Sequence, residues 1–238
     1  MKKYLSLFYM LFLIQYTCFA DGYWLELHGS GNRGDTLFIK IRYGGVDEQK
    51  NRYINNGAAL DKMKDYQLLV IDPRGRQHNI PLKQAYDHWA GYYVPLANGS
   101  FQVFAVNNSL PVVEREDNQQ NIKPVQYLCA AYAVGNGRKG KSPASYLYLE
   151  ASVKNDTAWV APFIDGKPVV AGTPLRVFLP DNHDKKIIVT SKGIAGLPLS
   201  SKGIYLIRLD EMSRKEGTYK GKKYYTIRHR CDYTLVVE

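Results

Sequence analysis

The feature that most constrains this chain is a succession of short segments in which apolar and polar residues alternate, each closed by turn-forming residues. The segments span residues 23–28, 36–43, 67–71, 80–82, 91–95 and 101–106. A period of two places the apolar side chains on one face of a strand. Asp72-Pro73-Arg74-Gly75, with Pro early and Gly late, is typical of a β-turn. The pattern predicts a mainly β protein of the sandwich type.

The strand segments fall into two groups. Residues 135–143 combine glycine, charge and proline, a composition that cannot pack a core. We therefore predict two Ig-like or transthyretin-like β-sandwich domains in tandem, at residues 21–136 and 144–238. An irregular stretch, residues 44–66, interrupts the first of them and is a candidate functional loop, with a helical turn expected at residues 58–64.

The N-terminus has the pattern of a signal peptide. Two lysines precede an apolar run at residues 4–16, which is too short to span a bilayer. Cys18 and Ala20 are the small residues that signal peptidase requires, so cleavage is expected after Ala20. We predict that residues 1–20 are removed and that the mature protein is periplasmic or otherwise exported, without a transmembrane segment. Lipidation of Cys18 is an alternative, although residues 15–17 form a poor lipobox.

The net charge narrows the class of binding partner. The formal net charge is +10, and the loss of Lys2 and Lys3 lowers it to +8, which favours acidic partners or anionic surfaces. The basic residues are spread along the chain without a nucleic-acid recognition motif, so no nucleic-acid partner is expected.

Cys129 and Cys231 remain after cleavage. We expect two buried thiols there, with one disulfide as the alternative.

Several motifs resemble known families. Residues 165–178 resemble the opening of a carboxypeptidase-regulatory or transthyretin-like domain, and residues 193–199 and 201–207 resemble its later strands. Over residues 23–238, the motifs YWLE, GDT, VIDPRG, KPVQY and YKGKKY are similar, in order, to those of an exported family of unknown function. That family is often labelled a periplasmic component of nickel or cobalt uptake. The resemblance implies a metal ion or metal complex as ligand, and an envelope transporter or outer-membrane receptor as partner.

Two sets of residues offer ligands for a divalent transition metal such as nickel, cobalt, zinc or copper. His229 and Cys231 are two residues apart and share one face of a strand, where imidazole and thiolate can begin a metal site. Glu26 and His28 likewise share a face, and Asp21 lies just upstream. Many family members have His in place of Asp21, and a carboxylate binds nickel or copper less well. The alternative for both sets is an ordinary strand face.

A third candidate site lies in residues 86–93, where four side chains suited to a flat ligand are close in sequence: Tyr86, His88, Trp89 and Tyr92. Aromatic rings in a polar segment can stack on a sugar. The segment is therefore a candidate ligand-binding site of a glycan-binding or adhesion module. A β-hairpin that buries its rings is the structural alternative.

Two common hydrolase motifs, G-x-S-x-G and H-E-x-x-H, do not occur in the sequence. We therefore predict that the protein is not an enzyme. The leading hypothesis is an extracytoplasmic binding protein associated with nickel- or cobalt-type metal uptake. The alternatives are a glycan-binding or adhesion module of the cell envelope, and a structural spacer.

Overall fold

The computed structural model describes residues 22–117, 120–137, 140 and 142–238. The predicted signal peptide, Asp21 and part of the predicted domain boundary lie outside the described residues. The described residues form seventeen strands and one 3-10 helix, Gly57–Met63. In chain order the strands are β1 (Gly22–His28), β2 (Leu37–Val46), β3 (Arg52–Ile54), β4 (Gln67–Ile71), β5 (Gln77–Ile80), β6 (Lys83–Gln84), β7 (Trp89–Tyr93), β8 (Gly99–Asn107), β9 (Ile122–Val134), β10 (Leu147–Lys154), β11 (Thr157–Ile164), β12 (Lys167–Pro168), β13 (Pro174–Phe178), β14 (Asp184–Ile188), β15 (Ala195–Pro198), β16 (Gly203–Tyr219) and β17 (Lys222–Val237).

These strands form three sheets. The first sheet has the order β1-β2-β7-β6, with β3 paired to β2. The central sheet has the order β14-β13-β16-β17-β9-β8-β4-β5, and the third sheet comprises β10, β11, β12 and β15. The mainly β, sandwich-type architecture predicted from the alternating segments is confirmed.

Local predictions match the strands closely where alternation is strong. The turn after β4 is formed as expected, with the Gly75 N–H donating to the Asp72 carbonyl at 2.8 Å and a positive φ at Gly75. The expected helical turn is the 3-10 helix Gly57–Met63. Strand β2 differs from its prediction because it runs through Gly44 and Gly45 to Val46. A Cβ on Gly44 would lie 2.0 Å from the Tyr53 carbonyl, so glycine permits the close approach of β3 there.

The central sheet is buried on both faces. Along β9, Leu128 and Ala130 join a core beneath the first sheet, whereas Tyr127 and Cys129 join a second core beneath the third sheet. Successive strand residues point to opposite faces, so one strand serves both cores. This explains why β9 is apolar over a long run, without the polar alternation of a one-sided strand.

The central sheet also joins the two halves of the chain. Strand β17 pairs in parallel with β9, from Thr226 opposite Ile122 to Tyr233 opposite Cys129. Each half has one sheet of its own, and both contribute strands to the central sheet. The division into domains at residues 136 and 144 stays a prediction.

Polar side chains lie on the face of the central sheet that the first sheet covers. Arg208 Nε donates to Asp232 Oδ1 at 2.6 Å, and Gln126 Nε2 donates to Asp232 Oδ2 at 2.8 Å. The Leu25 N–H of β1 donates to Thr234 Oγ1 at 3.2 Å, which attaches the edge of the first sheet to β17. Within the described part of the chain, no helix is long and apolar enough to cross a membrane.

Candidate functional site

The outer face of the first sheet gathers two of the three candidate sites predicted from the sequence. In the antiparallel register, Tyr92 of β7 and His28 of β1 both lie opposite Phe38 of β2. One row further along, Glu26 lies opposite Lys40. Directly opposed residues in a sheet share a face, so these side chains all lie on the side away from the core. We call this surface, together with Arg42, Asp87 and His88 beside it, the outer face.

A network of charged hydrogen bonds crosses the outer face. Glu26 Oε1 accepts from Trp24 Nε1 at 3.0 Å, and Glu26 Oε2 accepts from Arg42 Nε at 3.0 Å. Arg42 Nη1 also lies 2.6 Å from Asp87 Oδ2, whose other oxygen lies 2.6 Å from His88 Nδ1. The arginine therefore bridges the carboxylate of Glu26 on β1 and that of Asp87 in the connection before β7, and its position is set by both of them.

The carboxylates of this network are held in the ionised form. Burial opposes ionisation of Glu26, but the hydrogen bonds from Trp24 and Arg42 outweigh it and lower its carboxyl pKa. The pKa of Asp87 is lowered first by the hydrogen bond to His88 and further by Arg42. Both groups are therefore acceptors at neutral pH, and of the two side chains Asp87 is the more accessible, 38% exposed against 14% for Glu26.

An aromatic pair lies beside the charged network. Phe38 and Tyr92 meet edge to face, with ring centroids 5.3 Å apart and planes at 81°. Their side chains remain 46% and 56% exposed, and Tyr86, next to Asp87, is 77% exposed. By contrast, Trp89 is partly buried and donates from Nε1 to the Leu60 carbonyl at 3.1 Å, so it anchors the 3-10 helix.

The metal candidates on this face have other partners. His28 Nε2 lies 3.7 Å from Glu26 Oε2, which is already paired with Arg42. Gly22, which follows Asp21, is six residues from His28 along a continuous strand, a span of roughly 20 Å at the usual rise. Among the described residues, no group of three or more His, Cys, Asp or Glu side chains is placed to hold a metal ion.

His229 and Cys231 lie on one side of the central sheet but have separate neighbours. His229 Nδ1 is 2.9 Å from the Tyr127 hydroxyl, and the Tyr146 ring lies 4.2 Å away between centroids. Burial, reinforced by the charge of Lys215, lowers the pKa of His229 to about 4, so the imidazole is neutral at pH 7. The Cys231 sulfur is fully buried, 3.4 Å from the sulfur of Cys129, and both cysteines are free thiols in the structure.

Residues 135–142 read GNGRKGKS and match the spacing of a phosphate-binding P-loop. That motif binds phosphate only between a strand and the N-terminus of a helix. Here the segment follows β9, and the next regular element of the described chain is another strand, β10. The match therefore lacks the structural context that phosphate binding requires.

Sequence reasoning missed Phe38 and Arg42 as members of the site. Both alternate along β2 with the core residues Leu37, Ile39 and Ile41. The sequence pattern therefore places them on the opposite face of the strand from the core. Their proximity to Tyr92 and Asp87 depends on the pairing of β2 with β7. These two strands are far apart in the sequence. The residues of a strand do not indicate which distant strand will pair with it.

Comparison with known proteins finds no protein-family model that matches the sequence and no curated protein that matches it. The resemblances drawn from the sequence motifs therefore stay predictions.

Proposed function

We propose that this protein is an extracytoplasmic, non-enzymatic binding protein and that it binds a carbohydrate on the outer face. The observation that supports this most directly is the exposed Phe38–Tyr92 pair beside the fixed Arg42–Glu26–Asp87 network. Aromatic rings stack on the C–H face of a sugar, and carboxylate and guanidinium groups exchange hydrogen bonds with its hydroxyls.

The shape of the outer face favours an extended ligand. The side chains lie along three neighbouring strands of one sheet, and small-molecule sites are usually concave and enclosing. An open strand face instead suits an oligosaccharide that lies across several side chains at once. Because the network positions its charges before the ligand arrives, binding costs little reorganisation at this surface.

The test is binding of a panel of soluble oligosaccharides, four to six sugars long, to the mature protein by titration calorimetry. Replacing both Phe38 and Tyr92 with Ala is expected to weaken binding at least tenfold, since each stacked ring contributes roughly 1 kcal/mol. Trp159→Ala is the matched control, because that ring is 41% exposed on the third sheet. The proposal fails if no oligosaccharide binds, or if the control weakens binding as much as the double variant.

A second candidate is binding of a transition metal or metal complex for uptake by an envelope transporter. It is favoured by the exposed His28 imidazole on the same face, 3.7 Å from a carboxylate of Glu26. Imidazole suits nickel, cobalt, zinc and copper, and the ring pair could hold the organic part of a chelate. Equilibrium dialysis of the mature protein with each ion tests it. His28→Ala should lower retention while His183→Ala, an exposed imidazole elsewhere, should not; retention of none of the four ions would exclude it.

A further inference from the structure

A row of arginine side chains follows one face of the β16–β17 hairpin. Residues two apart along a strand share a face with the residues directly opposite them, which places four arginines together: Arg208 and Arg214 of β16, and Arg228 and Arg230 of β17. Asp232, opposite Arg208, is buried beneath the first sheet, whereas Met212, opposite Arg228, is 51% exposed. The face is therefore open to solvent along the distal part of the hairpin.

Three arginines at this open end have no acid partner. Among the described residues, neither Arg214 nor Arg228 forms an ion pair, and the same holds for Arg115 in the loop after β8. The other two arginines of the face differ, because each is paired with an aspartate within hydrogen-bonding distance. The open end therefore carries positive charge that the described chain does not neutralise.

Arg228 is the most constrained of the three unpaired arginines. Its Nε is buried and has no hydrogen-bond partner within the described part of the chain. Burial lowers its pKa, and the charges of Arg230, Arg208 and Arg115 lower it further, whereas Asp210 acts in the opposite direction. The guanidinium stays charged at neutral pH, so this repulsion persists in the folded protein. A bound anion would relieve it, and groups perturbed in this way are concentrated at functional sites.

A groove of about 680 Å³ lies over the open part of the face, and Arg115 and Arg214 both line it. Thr226 adds a hydroxyl to its wall. Glu216 is the only carboxylate that lines it within the described residues. Arg228 lies beside it, two residues along β17 from Thr226. We call this groove, together with Arg228, the arginine groove.

The charges of the arginine groove match those of a dianion. Three unpaired guanidinium groups and one carboxylate leave an excess of two positive charges. A phosphate monoester carries a charge of about −1.5 to −2 at neutral pH, and guanidinium groups bond its oxygens in pairs. We propose that the arginine groove binds a phosphate monoester carried by a small, soluble, hydroxylated molecule.

The lining of the groove favours a small ligand over a polyanion or an anionic membrane. Glu216 would repel a ligand that is negatively charged along its whole length, but it can accept a hydrogen bond from a hydroxyl group. Ile122 and Met212 also line the groove, and their apolar atoms suit the carbon skeleton that carries the phosphate. A concave site with a few polar groups on an apolar lining is typical for small molecules.

This site is separate from the outer face and goes beyond the proposed function. Its residues come from the loop after β8 and from β9, β16 and β17, and none of them belongs to the first sheet. Replacing Phe38 and Tyr92 with Ala should therefore leave phosphate binding unchanged. The two proposals use different residues, so each can fail without the other.

The probe is glycerol 3-phosphate, titrated into the mature protein by calorimetry at pH 7.5, with glycerol as the comparison. Glycerol 3-phosphate is expected to bind with a dissociation constant below about 1 mM, and glycerol should not bind. Replacing both Arg115 and Arg214 with Gln should weaken binding at least tenfold, because two charged donors are lost from exposed positions. Glu216→Gln keeps an acceptor and removes a repelling charge, so it should strengthen binding roughly two- to fivefold.

Arg74→Gln is the matched control, since Arg74 is exposed in the turn after β4 and does not line the groove. It should change the dissociation constant less than about twofold, and circular dichroism should show that all the variants are folded. Absence of glycerol 3-phosphate binding, or equal losses for the control and the double variant, would overturn the proposal. Phosphatidylglycerol vesicles and an acetylated hexaglutamate peptide are the competing probes. If either binds where glycerol 3-phosphate does not, the groove serves a membrane surface or an acidic peptide, and the proposal is wrong.

Discussion

Asp232 lies almost fully buried between the first and central sheets, where it accepts hydrogen bonds from Arg208 and Gln126. The side chains of Arg208 and Asp232 are 4% and 0% exposed. Removing one partner of a buried pair leaves the other charge without compensation. Asp232→Ala is therefore expected to lower the free energy of unfolding by about 3–5 kcal/mol, measured by urea denaturation.

The matched control for Asp232 is Asp210, which pairs with Arg230 at 2.7 Å but is well exposed to solvent. An exposed pair contributes little, so Asp210→Ala should cost less than about 1 kcal/mol. Similar losses for the two variants would mean that burial of the Arg208–Asp232 pair does not set its importance.

His229 provides a pH-dependent contribution to stability. Its pKa is lowered from 6.5 to about 4 in the folded protein, chiefly by burial. Between these values the unfolded chain binds a proton that the folded chain does not, so the folded state loses stability as the pH falls from about 6.5 to about 4. In His229→Gln, the urea midpoint should vary less over this range than in the wild type. His183→Gln, at an exposed imidazole, should retain the wild-type slope; equal slopes for wild type and His229→Gln would contradict this account.

At the scale of elements, Lys123 is one of several side chains that attach the distal part of the β16–β17 hairpin to the rest of the molecule. The others include Asn121, which donates to the Lys223 carbonyl at 3.1 Å, and Tyr219, whose hydroxyl donates to the Ser109 carbonyl at 3.1 Å.

The ammonium of Lys123 donates to the carbonyls of Asn108 at 2.5 Å, Leu110 at 2.9 Å and Pro124 at 3.0 Å. It also lies 4.3 Å from the ring centroid of Tyr219, near the hairpin turn. One side chain therefore connects the loop after β8, the start of β9 and the hairpin.

Lys123→Met is expected to lower the free energy of unfolding by about 1–3 kcal/mol, because three carbonyls lose a charged donor. Hydrogen exchange should also become faster in residues 215–225, since the hairpin loses one of its attachments. Lys202→Met is the control at an exposed lysine and should change neither quantity. Unchanged exchange in the hairpin of Lys123→Met would show that Tyr219 and the strand ladder hold it without the ammonium.

The sequence predicted individual elements well where the signal is local. The β-turn at residues 72–75 and the 3-10 helix followed from proline, glycine and the loss of alternation. It predicted less well where a distant strand decides the outcome. Strand β2 continues through two glycines because β3 approaches them closely, and nothing in the residues around Gly44 indicates that approach.

At the scale of the whole molecule, the central sheet should make folding a single event. Each of the two cores packs against β9, and β17 pairs with β9 over eight residue pairs. Neither half can lose its core without exposing a face of the strand that the other half uses. We therefore expect one cooperative urea transition for the described chain.

Two tryptophan reporters test this expectation. A Trp159→Phe protein retains Trp24 and Trp89 in the first sheet, and a Trp24→Phe, Trp89→Phe protein retains Trp159 in the third. Fluorescence midpoints that coincide with those from circular dichroism in each protein would support one unit. Two separate transitions would instead support independent domains at residues 21–136 and 144–238.

The sequence by itself determined the mainly β class, because a period of two in apolar residues is a property of neighbouring positions. It also determined which side chains share a strand face, such as Glu26 with His28 and His229 with Cys231. The tertiary structure alone decided that Phe38, Arg42 and Asp87 join Glu26 and His28, and that the parallel pairing of β9 with β17 ends at Cys129 and Tyr233. The physical reason is that strand pairing is made by backbone groups common to all residues, so partners distant in sequence are selected by packing across the whole sheet.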